Sequence, residues 1–398
     1  MVPFTIATLL LAFVPLVFCA PALAPILPTV GAVKPSSYIV KLKDGVDKTV
    51  HMAALASVLI SSDSHVTDDY SGTFNGYAAI LGDAALQFVR SSNDVDYLDP
   101  DHLIAVNVDK AVSGDVAWKN LIAQPPASSG TGVDIYAVGT GIYTAHSSFG
   151  SRASWGVTFG GYSNIDGNGH GTHTAATAVG ATYGVAPSAN IIAVKVLSDA
   201  GSGPVSDIVA GINWAVAAGV SSGRPSIVML CLSGNHSTSL EDAVSAGVSR
   251  GIHFVVEAGG SNVDATNTSP ANVATAVTVG AVDSSNAKAP FSNYGTAIDV
   301  FAPGVNVKSA WIGANMATNI LSGTSSATAY VASVLASALS GSGNSTTPAA
   351  LTSSLKSHAK TVVTGVKSDT AYVPSNLILA ALSVLFNPRS RNLLATVW

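Results

Sequence analysis

The chain has 398 residues, 48% of them apolar and 10% charged, with a net charge of −5. That length suits one large domain with a small one beside it, and so apolar a chain is not a disordered one. The modest negative charge argues against nucleic acid or an anionic membrane as partner.

Residues 4–18 form an apolar run broken by Pro15, and Cys19, Ala20, Ala22 and Ala24 follow it. The pattern predicts a secretory signal peptide over residues 1–20, though without the usual basic start, and hence a secreted, extracellular protein. No later run has the length of a membrane span; residues 377–386 read as a packed helix. With Cys19 removed, Cys231 is the one remaining cysteine, so no internal disulfide is expected. It sits in the apolar run Ile227-Val-Met-Leu-Cys-Leu232 and reads as a buried strand thiol.

Residues 37–107 read as a small α+β, ferredoxin-like unit. Tyr38-Ile-Val-Lys-Leu-Lys43 alternates as a strand, 46–61 has helical spacing, and Phe74-Asn-Gly-Tyr-Ala-Ala-Ile80 is a second strand. A helix follows over 83–91 with Asp83 as its expected N-cap, then a strand from Val95. This order suggests a split βαβ layout. The join to a main domain over 118–398 falls in a polar stretch with Gly114. From there apolar strands alternate with helices. Strands are expected at 132–138, 191–197, 226–232, 253–256 and 276–280, and helices at 205–218 and 239–250. Several strands are apolar on both faces, as in a parallel sheet covered on both sides. The fold class expected is therefore α/β, a three-layer αβα domain preceded by the small α+β unit.

Leu321-Ser-Gly-Thr-Ser-Ser-Ala-Thr-Ala-Tyr330 resembles the nucleophile motif of the subtilase family, peptidase S8, in its proteinase K branch. Asn168-Gly-His-Gly-Thr-His173 resembles the family's histidine motif. Blocks such as Tyr183-Gly-Val-Ala-Pro187 and Phe301-Ala-Pro-Gly304 follow in family order. Residues 37–107, ending Tyr97-Leu-Asp-Pro100, resemble the family's inhibitor I9-type propeptide. The resemblance implies a serine endopeptidase with Ser325 as nucleophile and His170 as general base. A serine hydroxyl needs that base, an acid behind it and donors for the oxyanion.

Two of those parts are missing. Gly139 stands where the family has its orienting Asp, and Gly260 where it has its oxyanion Asn. Asp134 is no substitute, lying roughly 17 Å back along the strand on the other face, and Asp166 accompanies the family's own acid. Catalysis is therefore expected to be impaired, with a non-catalytic peptide binder as the alternative. Restoring Asp at 139 and Asn at 260 is expected to raise activity by orders of magnitude. Glu257 places an unexpected acid near the substrate pocket floor.

The peptide-binding segments are better matched: Ser202, Gly203, Ser233, Gly234, Ala258 and Gly259 fall on substrate-binding positions. Such binding needs only main-chain hydrogen bonds. The implied partners are a peptide or protein substrate and the chain's own propeptide, with the protein a monomer. Asp299 matches a family calcium position, and a simple strand-end aspartate is the competing reading. Asn235 and Asn344 head plausible glycosylation sequons; Pro270 weakens a third at Asn267.

Overall fold

A computed structural model of the chain describes residues 22–59, 63–106, 109–110, 129–340, 345–366 and 393–395. The expected signal peptide, the start of the main domain near Trp118, Asn344 and the helix at 377–386 lie outside them.

The N-terminal unit runs β1 (Val33–Leu42), α1 (Lys48–Ala56), β2 (His65–Tyr70), β3 (Gly76–Ile80), α2 (Asp83–Ser91) and β4 (Val95–Ala105). Its antiparallel strands lie in the order β2-β3-β1-β4. Val40, Leu42, Tyr77, Ala79 and Leu98 turn inward against Leu55 of α1 and Val89 of α2. Asp83 is not the cap expected of it: α2 starts there, after Gly82, and no side chain caps it. An acid in the first turn still suits the helix dipole. β2 was not foreseen, because His65-Val-Thr-Asp-Asp-Tyr70 is an edge strand with too few apolar residues to alternate clearly.

After β5 (Asp109–Lys110), the main body runs β6 (Asp134–Gly139), β7 (Ala153–Thr158), α3 (His170–Val179), β8 (Asn190–Lys195), β9 (Ser202–Pro204), α4 (Val205–Ser222) and β10 (Ser226–Leu230). Then come α5 (Thr238–Ser249), β11 (His253–Glu257), β12 (Val277–Val282), β13 (Val300–Pro303), β14 (Val307–Ala310), β15 (Thr318–Ser322), α6 (Thr324–Leu339) and α7 (Pro348–His358). Seven parallel strands lie in the order β7-β8-β6-β10-β11-β12-β13. Alternation along them builds two cores. Ile227 and Met229 of β10 face one core with α3 and α6. Val228 and Leu230 face the other, with α4 and α5. The strand order reverses at β6, and side chains gather beyond the carboxyl ends of such strands at a reversal. Gly139 ends β6 and Glu257 ends β11.

Candidate active site

Ser325 is the second residue of α6 and is buried. Its hydroxyl donates to Glu257 Oε2. Thr324 Oγ1 reaches the same oxygen at 3.3 Å, and Ser233 Oγ donates to Oε1 at 2.7 Å. Glu257 is 0% exposed. Alternation explains its aim: Val255 faces the α6 core, so Glu257 two residues on faces α6 as well. The sequence marked this acid as odd but not its contact with Ser325. The two lie 68 residues apart, and only packing of α6 across β11 joins them.

His170 opens α3, as the motif implied. Gly169 before it has φ +98°, and a Cβ there would come within 2.6 Å of the Trp311 ring. Among the described residues His170 Nε2 has no hydrogen-bond partner. Burial, and then repulsion from His173, push the His170 pKa down to about 3. His173 is held to about 4 by burial, and its Nε2 lies 3.0 Å from the Val307 carbonyl, a structural role.

Behind His170 there is a gap. A Cβ on Gly139 would meet nothing within 4 Å. A small cavity lined by Gly139, Gly141, His170, Thr174, Met229 and Cys231 leaves about 10 Å³ for the centre of a water molecule, roughly one water's worth. Neither alternative acid fills it. Asp134 accepts from Asn190 Nδ2 at 2.8 Å and pairs with Arg224. Asp166 accepts from Thr140 Oγ1, from the backbone N–H of Gly169 and Thr172, and from Thr172 Oγ1. It thus fastens the loop that leads into α3. Cys231 is buried as expected; burial and the Glu257 charge push its thiol pKa up.

The loop after β11 is held by Asn293, whose Nδ2 donates to the Ala258 carbonyl and whose Oδ1 accepts from Ser261 N–H. Gly259 has φ +97°, and a Cβ there would press within 2.5 Å of Asn293 Nδ2. Ala258 and Gly259 therefore keep their place by internal contacts. Gly260 offers no side-chain donor. What remains for an oxyanion is the backbone at the start of α6, where the Ser326 N–H is already bonded to the Gly323 carbonyl at 3.2 Å.

The segments expected to bind peptide are paired with the chain itself. β4 pairs antiparallel with β9, Ile104 opposite Gly203 and Ala105 opposite Ser202. Ala105 also bridges to Ser233, and Val106 N–H donates to the Gly201 carbonyl at 2.9 Å. A Cβ on Gly234 would come within 2.8 Å of Ile104 Cγ1, so glycine there makes room for that side chain. Further on, β5 pairs with β15, Asp109 opposite Ser322, beside the strand that feeds Ser325. Asp299 pairs with Lys356 and accepts from Thr278 N–H at 3.0 Å. Those contacts use the carboxylate that calcium would need. The described residues hold no cluster of three or more His, Cys, Asp or Glu suited to a metal, so a calcium ion at Asp299 would have to draw its other ligands from backbone carbonyls. Asn235 is exposed, and its amide donates to the Val30 carbonyl, a bond that a glycan on this nitrogen would disturb.

A parallel sheet covered on both faces, with serine and histidine each opening a buried helix at the strands' carboxyl ends, defines the subtilisin-like α/β class. The chain belongs to the subtilase family: that family's model matches residues 101–373, and the peptidase inhibitor I9 model matches 37–106. It is 41% identical to "Subtilisin-like protease 2" of Pseudogymnoascus destructans over 338 residues, 81% of this chain and 84% of the relative. It is 37% identical to a "Cuticle-degrading serine protease" of Arthrobotrys oligospora over 351 residues, 81% of this chain and 85% of the relative. The crystal structure of a cold-adapted subtilisin-like serine proteinase superposes with TM-score 0.60 at 34% identity, covering 72% of this chain and 99% of that one.

Proposed function

We propose that the protein is a secreted subtilase whose endopeptidase activity is impaired, and whose cleft retains the I9-type domain of its own chain. The inherited reaction is the serine-protease chemistry named in its relatives. Ser325 Oγ would attack a peptide carbonyl, pass its proton to His170 and form an acyl-enzyme. The carrying observation is the gap behind His170. Imidazolium formed in this buried pocket is disfavoured: burial first, and then repulsion from His173, hold the ring's pKa down to about 3. In a subtilisin, losing the triad carboxylate costs roughly 3 × 10⁴ in kcat, and losing the oxyanion amide costs roughly 10²–10³. Because triad and oxyanion hole act as a unit, the two costs do not simply multiply.

A purely binding role is the second reading, favoured by the Ser325–Glu257 hydrogen bond and by β4 seated as an added strand. In both, residues 1–20 are the leader, 37–107 the I9-type domain and 118–398 the subtilase domain of a monomer. Family members cut away their own propeptide, so maturation separates the impaired from the active enzyme. The intact masses of the purified chain and its Ser325→Ala twin should differ only by the one oxygen atom of the substitution, with the I9-type domain still attached to both. Trimming near residue 110 in the parent alone would show a working protease.

A further inference from the structure

We propose that Glu257 is a positioning residue that holds the Ser325 hydroxyl away from His170, a third block beside the missing carboxylate and the missing amide. The proposal rests on the reading that hydrolysis is impaired, and it names a cause the motifs do not contain. A serine hydroxyl has one proton to donate. Here it goes to Glu257, while the imidazole nitrogen that should accept it has no partner. The hold is strong in kind. Hydrogen bonds to a carboxylate are about twice as strong as neutral ones, and this carboxylate is fully buried. Three hydroxyls, from Ser233, Thr324 and Ser325, converge on its two oxygens. Pulling Ser325 away would leave buried charge less well satisfied, which is costly. Refilling positions 139 and 260 alone therefore leaves the nucleophile aimed at the wrong acceptor, and the two-residue repair expected from the sequence is incomplete.

The test measures how fast a fluorophosphonate probe labels Ser325 in the full chain, with Ser325→Ala as blank. The Gly139→Asp/Gly260→Asn variant should stay within ~10-fold of the parent. Adding Glu257→Ala should speed labelling at least ~100-fold, the scale of one missing catalytic contact. The gain should vanish with His170→Ala and should follow the titration of His170 with pH. Should the alanine variant fail to fold by circular dichroism, Glu257→Gln, which keeps the volume and removes the charge, should still speed labelling at least ~10-fold. A fast double variant overturns the proposal, as does a Glu257 substitution that adds nothing. A Glu257 substitution that slows labelling also overturns it, and would make this carboxylate the proton acceptor. Trimming of the parent chain would instead overturn the reading of impaired hydrolysis, so the two failures are distinguishable.

Discussion

At position 139 an added side chain has somewhere to go. The void beyond Gly139 opens onto His170, so a single residue decides whether that ring is a stranded neutral base or half of a charged pair. An anionic neighbour favours imidazolium, and a carboxylate within 4–6 Å moves such a pKa by roughly 1–3 units. Gly139→Asp should therefore raise the His170 value from about 3 toward its ordinary range. An NMR titration of the ring protons reads this directly, and a value still near 3 would mean that the new carboxylate does not reach. Ser325, His170, Gly139 and Gly260 were all legible in the sequence, because each sits in a short motif with recognisable flanks. The role of Glu257 was not, since its partners come from α6 and from the segment after β10, far from it in the chain.

Between elements, the contact that matters most is β4 against α4 and α5. Tyr97, Asp99 and Asp101 alternate along β4 and so share one face. Tyr97 Oη donates to Asp242 at 2.7 Å. Asp99 accepts from Ser239 N–H at the start of α5. Asp101 accepts from Ser206 N–H and Ser206 Oγ at the start of α4, where Pro204 has no side chain to cap with. Each carboxylate thus caps a helix of the main domain from the small one, and the helix dipole favours it there. Asp101→Ala should cost about 1–2 kcal/mol, the price of a lost cap. Urea unfolding, with faster limited proteolysis near residue 106, would detect it. An unchanged midpoint would mean that the strand pairing alone seats the small domain. The strand at Val95 was readable from its alternation, but its continuation to Ala105 was not, because Pro100 and His102 pair with β1 and the last three residues pair with β9, about a hundred residues further on.

Across the whole molecule, His170, His173 and His253 are buried, with pKa values pushed down by burial to about 3, 4 and 4. The unfolded chain takes up protons at these rings below about pH 6.5 while the native state does not. Their contribution to stability is therefore complete above pH 6.5 and is lost as pH falls toward 4. The melting temperature should drop by several °C, of the order of 5, between pH 7 and pH 4.5. His253→Gln should reduce proton uptake on unfolding at pH 5 by about one; an equal uptake in both proteins would show that this ring is not held neutral. The sequence by itself determined the family, the order of the major elements, and glycine at positions 139 and 260, because these are local properties written in periodicity and motif spacing. Only the tertiary structure decided what surrounds Ser325 and His170. Whether a lost carboxylate is replaced, and which acceptor a hydroxyl chooses, depends on side chains far apart in the chain that meet where strand ends and helix starts converge.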